Sequence, residues 1–240
     1  MALLEAINLK KSYGGRAVVN GVSLEVEHSE IVGLLGRNGA GKTTTFRMTI
    51  GMIERDDGRV IFDGTEVTGL PMYRHARLGM GYLSQEPSVF QRLTCEQNLM
   101  AILETQNLSR KQRKLKASEL LDQFGLTHKA HDAARTCSGG ERRKLEIARS
   151  LVTNPKLVLL DEPFSGVDPI AVEDLQAEIR SLTQRGISIL ITDHNVRETL
   201  GICGHAYILS DGSLIAAGSP EDILENQHVR EVYLGQEFKL

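Results

Sequence analysis

IVGLLGRNGAGKTTTFRMTIG, residues 31–51, carries an unbroken apolar run through a glycine-rich turn into a stretch of helical character. The run at 31–36 reads as a buried strand, and TTTFRMTIG as a short helix closed by Gly51. Between them GRNGAGKT, 36–43, fits the phosphate-loop pattern in the strand–turn–helix setting that the pattern needs. Gly36, Gly39 and Gly41 let the backbone curl so that successive N–H groups face phosphate oxygens, with Arg37, Asn38 and Ala40 interleaved. Lys42 is placed to reach the β- and γ-phosphates and Thr43 to bind Mg²⁺, with Thr44 beside it in the same cradle.

Further along, LVLLDEP (157–163) is an apolar strand ending in two carboxylates. Asp161 is placed to hold the water shell of the metal, and Glu162 to orient and deprotonate an attacking water. Successive strand residues point to opposite faces, yet at the carboxyl end of a strand both can border a ligand crevice. These two motifs together point to a Mg²⁺-dependent nucleoside triphosphatase.

CSGGERRKLEIARS, 137–150, supplies a second anion site. Ser138 reads as a helix cap and Glu141 as its capping-box partner, which leaves the N–H groups of Gly139 and Gly140 bare at the positive end of a helix. One domain is ill suited to fold both anion sites around a single nucleotide. The pair therefore implies a dimer in which each chain completes the site of its neighbour.

The rest of the chain is consistent with this. Strand-like segments at 4–9, 22–26, 58–64 and 80–85 accompany the phosphate loop. After residue 150 strands and helices alternate, closing on a strand pair around Asp211-Gly212. Residues 88–150 read as almost wholly helical, an insertion between two core strands. Of 240 residues, 41% are hydrophobic and 25% charged, ordinary for a globular protein. A formal net charge of −3 gives no support to a nucleic-acid role based on bulk positive charge. Cys95, Cys137 and Cys203 form no CxxC pair, so reduced thiols are expected rather than disulfides or zinc. No apolar run is long enough to span a bilayer and the start lacks a signal-peptide layout, so any membrane role would run through partners.

Taken together, the motifs resemble those of the ATP-binding-cassette (ABC) ATPases over nearly the whole chain. The resemblance implies an α/β fold: a phosphate-loop core with an N-terminal antiparallel β subdomain and an inserted helical subdomain. As one domain over 1–240, it divides at about 1–87 and 151–215 for the β subdomain and core, 88–150 for the helical part and 216–240 for a helical tail. It also implies that Ser138, Gly139, Gly140 and Glu141 form the signature that contacts the γ-phosphate across a head-to-tail dimer. Cys137 replaces the usual leucine before it.

Other site residues follow only from this resemblance. Tyr13 stands where the family places an aromatic against adenine, an ordinary loop tyrosine being the alternative, and Arg16 is a nearby contact. Gln85 matches the glutamine that senses metal and γ-phosphate, which gives Thr43, Gln85 and Asp161 as the metal set. His194 matches the switch histidine. Asp168 belongs to the loop linking the two sites, and reads equally as a helix cap followed by proline. Arg37 and Ser84 stand where close relatives commonly carry proline.

Cassettes without a membrane span usually serve separate permeases, which dock beside the glutamine loop. Here that groove would involve Phe90, Gln91 and Arg92, with Phe90 either an exposed apolar anchor or a buried loop aromatic. GERRKLEIAR, LLDEPFSGVDPI, ITDHNVRETL and the tail VREVYLGQEFKL look like the lipopolysaccharide-export branch. That likeness implies a homodimer using ATP and Mg²⁺ on the cytoplasmic face of the inner membrane, driving two permease subunits. The alternatives are a branched-chain amino-acid importer ATPase and a soluble cassette acting as a nucleotide-gated clamp. Val232, Tyr233, Leu234 and Phe238 of the tail either clamp the dimer or form a loosely docked end.

Overall fold

All six residues of the strand Ile31–Gly36 are buried, as an apolar run with no alternation requires when both faces of a sheet are covered. The computed structural model describes residues 2–235 and 238; Met1 and residues 236, 237, 239 and 240 of the quoted tail lie outside the described residues. In chain order, β1 (Leu4–Tyr13) and β2 (Arg16–Val26) form a hairpin, followed by the central strand β3 (Ile31–Gly36) and α1 (Lys42–Thr49). Next come β4 (Asp57–Phe62), β5 (Thr65–Glu66), α2 (Met72–Leu78) and β6 (Met80–Leu83). Three helices follow without a strand: α3 (Cys95–Leu103), α4 (Arg110–Gln123) and α5 (Gly139–Leu151). The chain then runs β7 (Leu157–Asp161), α6 (Pro169–Gln184), β8 (Ser188–Thr192), α7 (Val196–Leu200), β9 (His205–Ser210) and β10 (Ser213–Gly218). It closes with α8 (Pro220–Glu225), α9 (Gln227–Val229) and a π turn over Arg230–Leu234.

Two sheets result. One has the order β2-β1-β4-β5, with every described pairing antiparallel; the other has the order β10-β9-β3-β8-β7-β6. In the second, β9, β3, β8, β7 and β6 are parallel, and only β10 runs against its neighbour. The parallel strands therefore end together, and the loops after β3, β6, β7 and β8 converge along one edge, where ligands bind in open α/β sheets.

β1 runs four residues beyond the alternating segment 4–9 that the pattern signals. Register shifts between Ala6 and Leu9, with Asn8 at a φ of 51°, break the alternation without ending the strand. α2 carries no pattern to read: His75 is its one buried residue. Between β9 and β10, Asp211 and Gly212 both have positive φ (47° and 79°), the tight turn that Asp-Gly favours. This turn braces the phosphate loop, since Gly212 N–H donates to Ala40 O (3.1 Å) and Asn20 N–H to Gly212 O (2.7 Å).

The three consecutive helices share a core. Leu99, Leu103, Ala117, Leu121, Leu145 and Ala148 are all fully or almost fully buried, and they join the cluster that covers one face of the parallel sheet. Thr94, Ser109 and Ser138 each close a complete capping box at the start of α3, α4 and α5. In the tail, Tyr233, Leu234 and Phe238 pack against this same cluster, so they are engaged within their own chain. The three cysteines are free thiols, with Cys95 Sγ 3.5 Å from Cys137 Sγ.

Candidate functional site

The turn after β3 has little room for side chains. A Cβ on Gly36 would lie 2.3 Å from Leu209 O, and one on Gly41, whose φ is 103°, would lie 2.6 Å from Val18 O. Glycine at both positions is therefore a steric requirement, and it brings the bare backbone to the start of α1. Lys42, the first residue of that helix, is buried and donates to the carbonyls of Gly36 (2.7 Å) and Arg37 (3.1 Å). Burial lowers its pKa, against an opposing pull from Glu162, Asp161 and Asp193.

A cavity of about 530 Å³ opens over this turn, and Asn38, Gly39, Gly41, Lys42, Thr43, Thr44, Gln85, Glu162 and His194 all line it. Of the residues expected from sequence, these nine meet in one place. Val18 and Ser165 line it too, and nothing in the sequence singled them out.

β7 delivers the two carboxylates in different directions. Asp161 is fully buried; its Oδ2 accepts from the Tyr82 hydroxyl at 3.3 Å, and its Oδ1 has no hydrogen-bond partner. Burial raises its pKa, with the Glu162 charge adding to the effect. At Glu162 the backbone turns to a φ of 48° and its N–H donates to Thr192 O (2.7 Å). That turn swings the Glu162 side chain into the cavity, where Gln85 Nε2 donates to Oε2 (2.9 Å) and His194 Nδ1 lies 3.3 Å from the same atom. Asp193 is buried behind them, accepting from the N–H groups of Phe164 and Asn195 at 2.9 Å each. Its pKa is raised by burial.

A divalent cation fits this chemistry. Asp161 Oδ1 and, across the β7–β8 pairing, Thr192 Oγ1 are buried oxygens with no partner, and Thr43 and Gln85 on the cavity wall carry a hydroxyl and an amide oxygen.

The remaining expected residues stand apart. Tyr13 and Arg16 flank the exposed Gly14–Gly15 turn of the β1–β2 hairpin, with Tyr13 51% exposed and Lys11 Nζ 5.4 Å from its ring centre. Ser138 caps α5: its Oγ accepts from Glu141 N–H (3.2 Å) while Glu141 Oε2 accepts from Ser138 N–H (2.7 Å), which lowers the Glu141 pKa. Gly139 is exposed and lines a separate cavity of about 240 Å³ that shares only Gln85 and Ser165 with the first. Asp168 is exposed, caps α6 through Ala171 N–H (3.1 Å) and is followed by Pro169. Phe90 is 45% exposed, with the Arg149 guanidinium 4.6 Å from its ring centre; Gln91 and Arg92 beside it are exposed. A larger cavity of about 670 Å³ lies away from all of these, and its Lys116, Lys156 and Arg185 are bonded within the chain to Asn154, Asp63 and Gln123.

The family model for ABC transporters matches residues 19–165. The chain belongs to the ABC transporter family. A second model, described as the branched-chain amino acid ATP-binding cassette transporter, matches residues 213–239. The chain is 53% identical to the lipopolysaccharide export system ATP-binding protein LptB of Haemophilus influenzae and 54% identical to LptB of Escherichia coli K12, each over the full length of both chains. Among solved structures it is similar to the ADP conformation of MJ1267, an ATP-binding cassette of an ABC transporter. The TM-score is 0.89 at 28% identity, covering 98% of this chain and all of that one. It is an ATP-binding and ATP-hydrolysing ABC subunit.

This ABC domain also uses residues that its motifs do not announce. Arg143 on α5 is buried and donates to Ser84 O (2.9 Å), Asp161 O (2.9 Å), Pro163 O (3.3 Å) and Glu146 Oε2 (2.9 Å). Glu146, equally buried, accepts from Ser88 N–H through Oε1 (2.6 Å). One ion pair thus ties the helix behind the signature to the glutamine loop and to the end of β7. The available sequence signal was the spacing of three between Arg143 and Glu146, on the face of α5 that also carries the buried Ile147.

Proposed function

We infer that this chain powers lipopolysaccharide extraction from the inner membrane and its export to the outer membrane, as a cytoplasmic homodimer serving two permease subunits. The observation that carries this reading is identity of 53–54% from end to end with two LptB proteins, tail included. The match of 213–239 to the branched-chain amino-acid model favours an importer for the tail alone, and full-length similarity outweighs it. No helix among the described residues is long and apolar enough to cross a membrane, which suits an ATPase held at the cytoplasmic face by its partners.

The site residues divide the work as follows. Backbone N–H groups of residues 36–41 cradle the phosphates, with Arg37, Asn38 and Ala40 shaping the loop and Thr43 and Thr44 closing it. Lys42 is a buried cation placed for the β- and γ-phosphates. Thr43, Gln85 and Asp161 would hold Mg²⁺, which neutralises charge developing on the phosphate oxygens. Glu162 takes a proton from the attacking water, held by Gln85 on the same carboxylate oxygen. With its Nδ1 turned to carboxylates, His194 has Nε2 left to face the γ-phosphate. Tyr13 and Arg16, exposed beside the hairpin turn, stack on and flank the adenine.

The signature works across the dimer. A serine hydroxyl that accepts from Glu141 N–H still has its own proton to donate, so Ser138 caps its helix and contacts a partner's γ-phosphate at once. The exposed Gly139 presents its N–H beside it, whereas Gly140, expected to do the same, is buried within the chain. Asp168 stands at the start of α6 as the link between the two sites. Phe90, Gln91 and Arg92 form the exposed docking edge for the permeases. The helical part, about 88–150, carries signature and docking edge as one body inserted in the single ABC domain.

Purification of the tagged protein from detergent-solubilised native membranes tests this directly. Two permeases carrying bound lipopolysaccharide are the expected result. Amino-acid permeases would replace the exporter reading by the importer, and no membrane partner would leave the soluble clamp.

A further inference from the structure

Tyr82, the third residue of β6, touches two places at once. Its ring lines both a cavity of about 190 Å³ and one of about 140 Å³, which also share Arg149 and Ser150 as walls, so the two are parts of one groove. Met72, 38% exposed, lines the first of them, and Phe90, 45% exposed, has the guanidinium of Arg149, a wall of both, 4.6 Å from its ring centre. At the opposite end of the same side chain, the Tyr82 hydroxyl donates to Asp161 Oδ2 at 3.3 Å. This is the carboxylate's one hydrogen bond among the described residues, since Oδ1 has none.

A carboxylate bonded through a single oxygen is oriented by that bond. The Tyr82 hydroxyl fixes Oδ2 and leaves Oδ1 for the water shell of a metal. Burial pushes the phenol up to about 12, so the proton needed for this donation is present at neutral pH. The Arg47 guanidinium, one turn beyond Thr43 on α1, opposes the effect of burial at both groups, pulling the Tyr82 and Asp161 pKa values down. At 3.3 Å the donor is already near the outer limit of a hydrogen bond, and a small tilt of the ring removes it.

We propose that Tyr82 is a positioning residue that couples occupation of the groove to metal affinity at Asp161: a partner segment seated in the groove presses on the ring and so sets the carboxylate. The coupling rests on the permease docking proposed above at Phe90, which stacks on Arg149, a wall of both cavities. Linkage makes it reciprocal: whatever the partner does to Mg²⁺ affinity, Mg²⁺–nucleotide does to partner affinity by the same factor.

The test compares wild type with Tyr82→Phe, which keeps the ring and removes the hydroxyl. In the isolated subunit, calorimetric ATP binding in EDTA should be unchanged. The Mg²⁺ concentration at half-effect on ATP binding should rise about tenfold, the low end for loss of a group supporting a metal ligand. In the assembled permease complex, the wild-type Mg²⁺ midpoint should differ from that of the free subunit, and in Tyr82→Phe this difference should vanish while permease capture is retained. Equal Mg²⁺ midpoints for the two subunits would overturn the positioning role. A midpoint shift on permease binding that survives in Tyr82→Phe would overturn the coupling. Failure of wild type to capture permeases would instead overturn the functional reading, and the coupling with it.

Discussion

Glu162 shows how one backbone angle divides the labour of two adjacent carboxylates. A non-glycine residue at a φ of 48° carries strain of about 1–2 kcal/mol. It is held there by the hydrogen bond from its N–H to Thr192 O. An unturned strand would send Glu162 to the opposite face from Asp161; the turn lets one stay inside and the other enter the cavity. Glu162→Gln should cut steady-state turnover by about 10²–10⁴-fold while equilibrium ATP binding persists; near-normal turnover would remove it as the base. Asp161 makes a prediction about pH. Its folded pKa is raised, so the fold favours the protonated form, and the cost of its charge is present at neutral pH and absent below the carboxylate range. Without nucleotide, Asp161→Asn should therefore raise the melting temperature at pH 7 by about 2–4 °C, for roughly 1 kcal/mol. The gain should fade as pH falls through the raised folded pKa and be gone below about 4. A gain that is independent of pH would contradict the buried-charge account.

Among the elements, α5 combines what could be read in advance with what could not. Its start was legible because a capping box is a local matter: Ser138 and Glu141 satisfy each other's backbone whatever surrounds them. The buried strands before the phosphate loop and before Asp161 were legible for the same reason, since an apolar run has one place to go. The Arg143–Glu146 pair was not legible. In ERRK the two arginines look alike, yet only Arg143 is buried, and what buries it comes from Ser84, Asp161 and Pro163, remote in sequence. α2 and the bulge at Asn8 escaped for the converse reason, since their local pattern is weak and tertiary contacts decide. Glu146→Ala would leave the Arg143 charge buried without its carboxylate, at a cost of about 3 kcal/mol. A drop of roughly 6–12 °C in melting temperature is expected for a chain of this size. A drop of less than 2 °C would mean that the carbonyls around Arg143 suffice.

For the whole molecule, the separation of the two anion sites is the governing fact. The signature start at Ser138 and Gly139 does not line the phosphate-loop cavity of its own chain, although Gln85 and Ser165 border both. On the function proposed above, two chains placed head to tail would bring each signature to the other's nucleotide. With ATP and Mg²⁺, Glu162→Gln should accordingly shift from monomer to dimer in light scattering; persistent monomers would undo the shared site.

The sheet order also bears on how the protein is made. Gly36, the first residue of the phosphate loop, is paired in β3 with Leu209 of β9, 173 residues away in sequence. Ribosomes adding about 5–20 residues per second would need roughly 9–35 s to bridge that interval. For that time the nascent loop lacks the neighbour that shapes it, because Gly36 packs against the Leu209 carbonyl and Ala40 against the Asp211-Gly212 turn. Nucleotide binding by a growing chain should therefore await the emergence of β9, and the apolar run at 31–36 lacks its β9 neighbour until then.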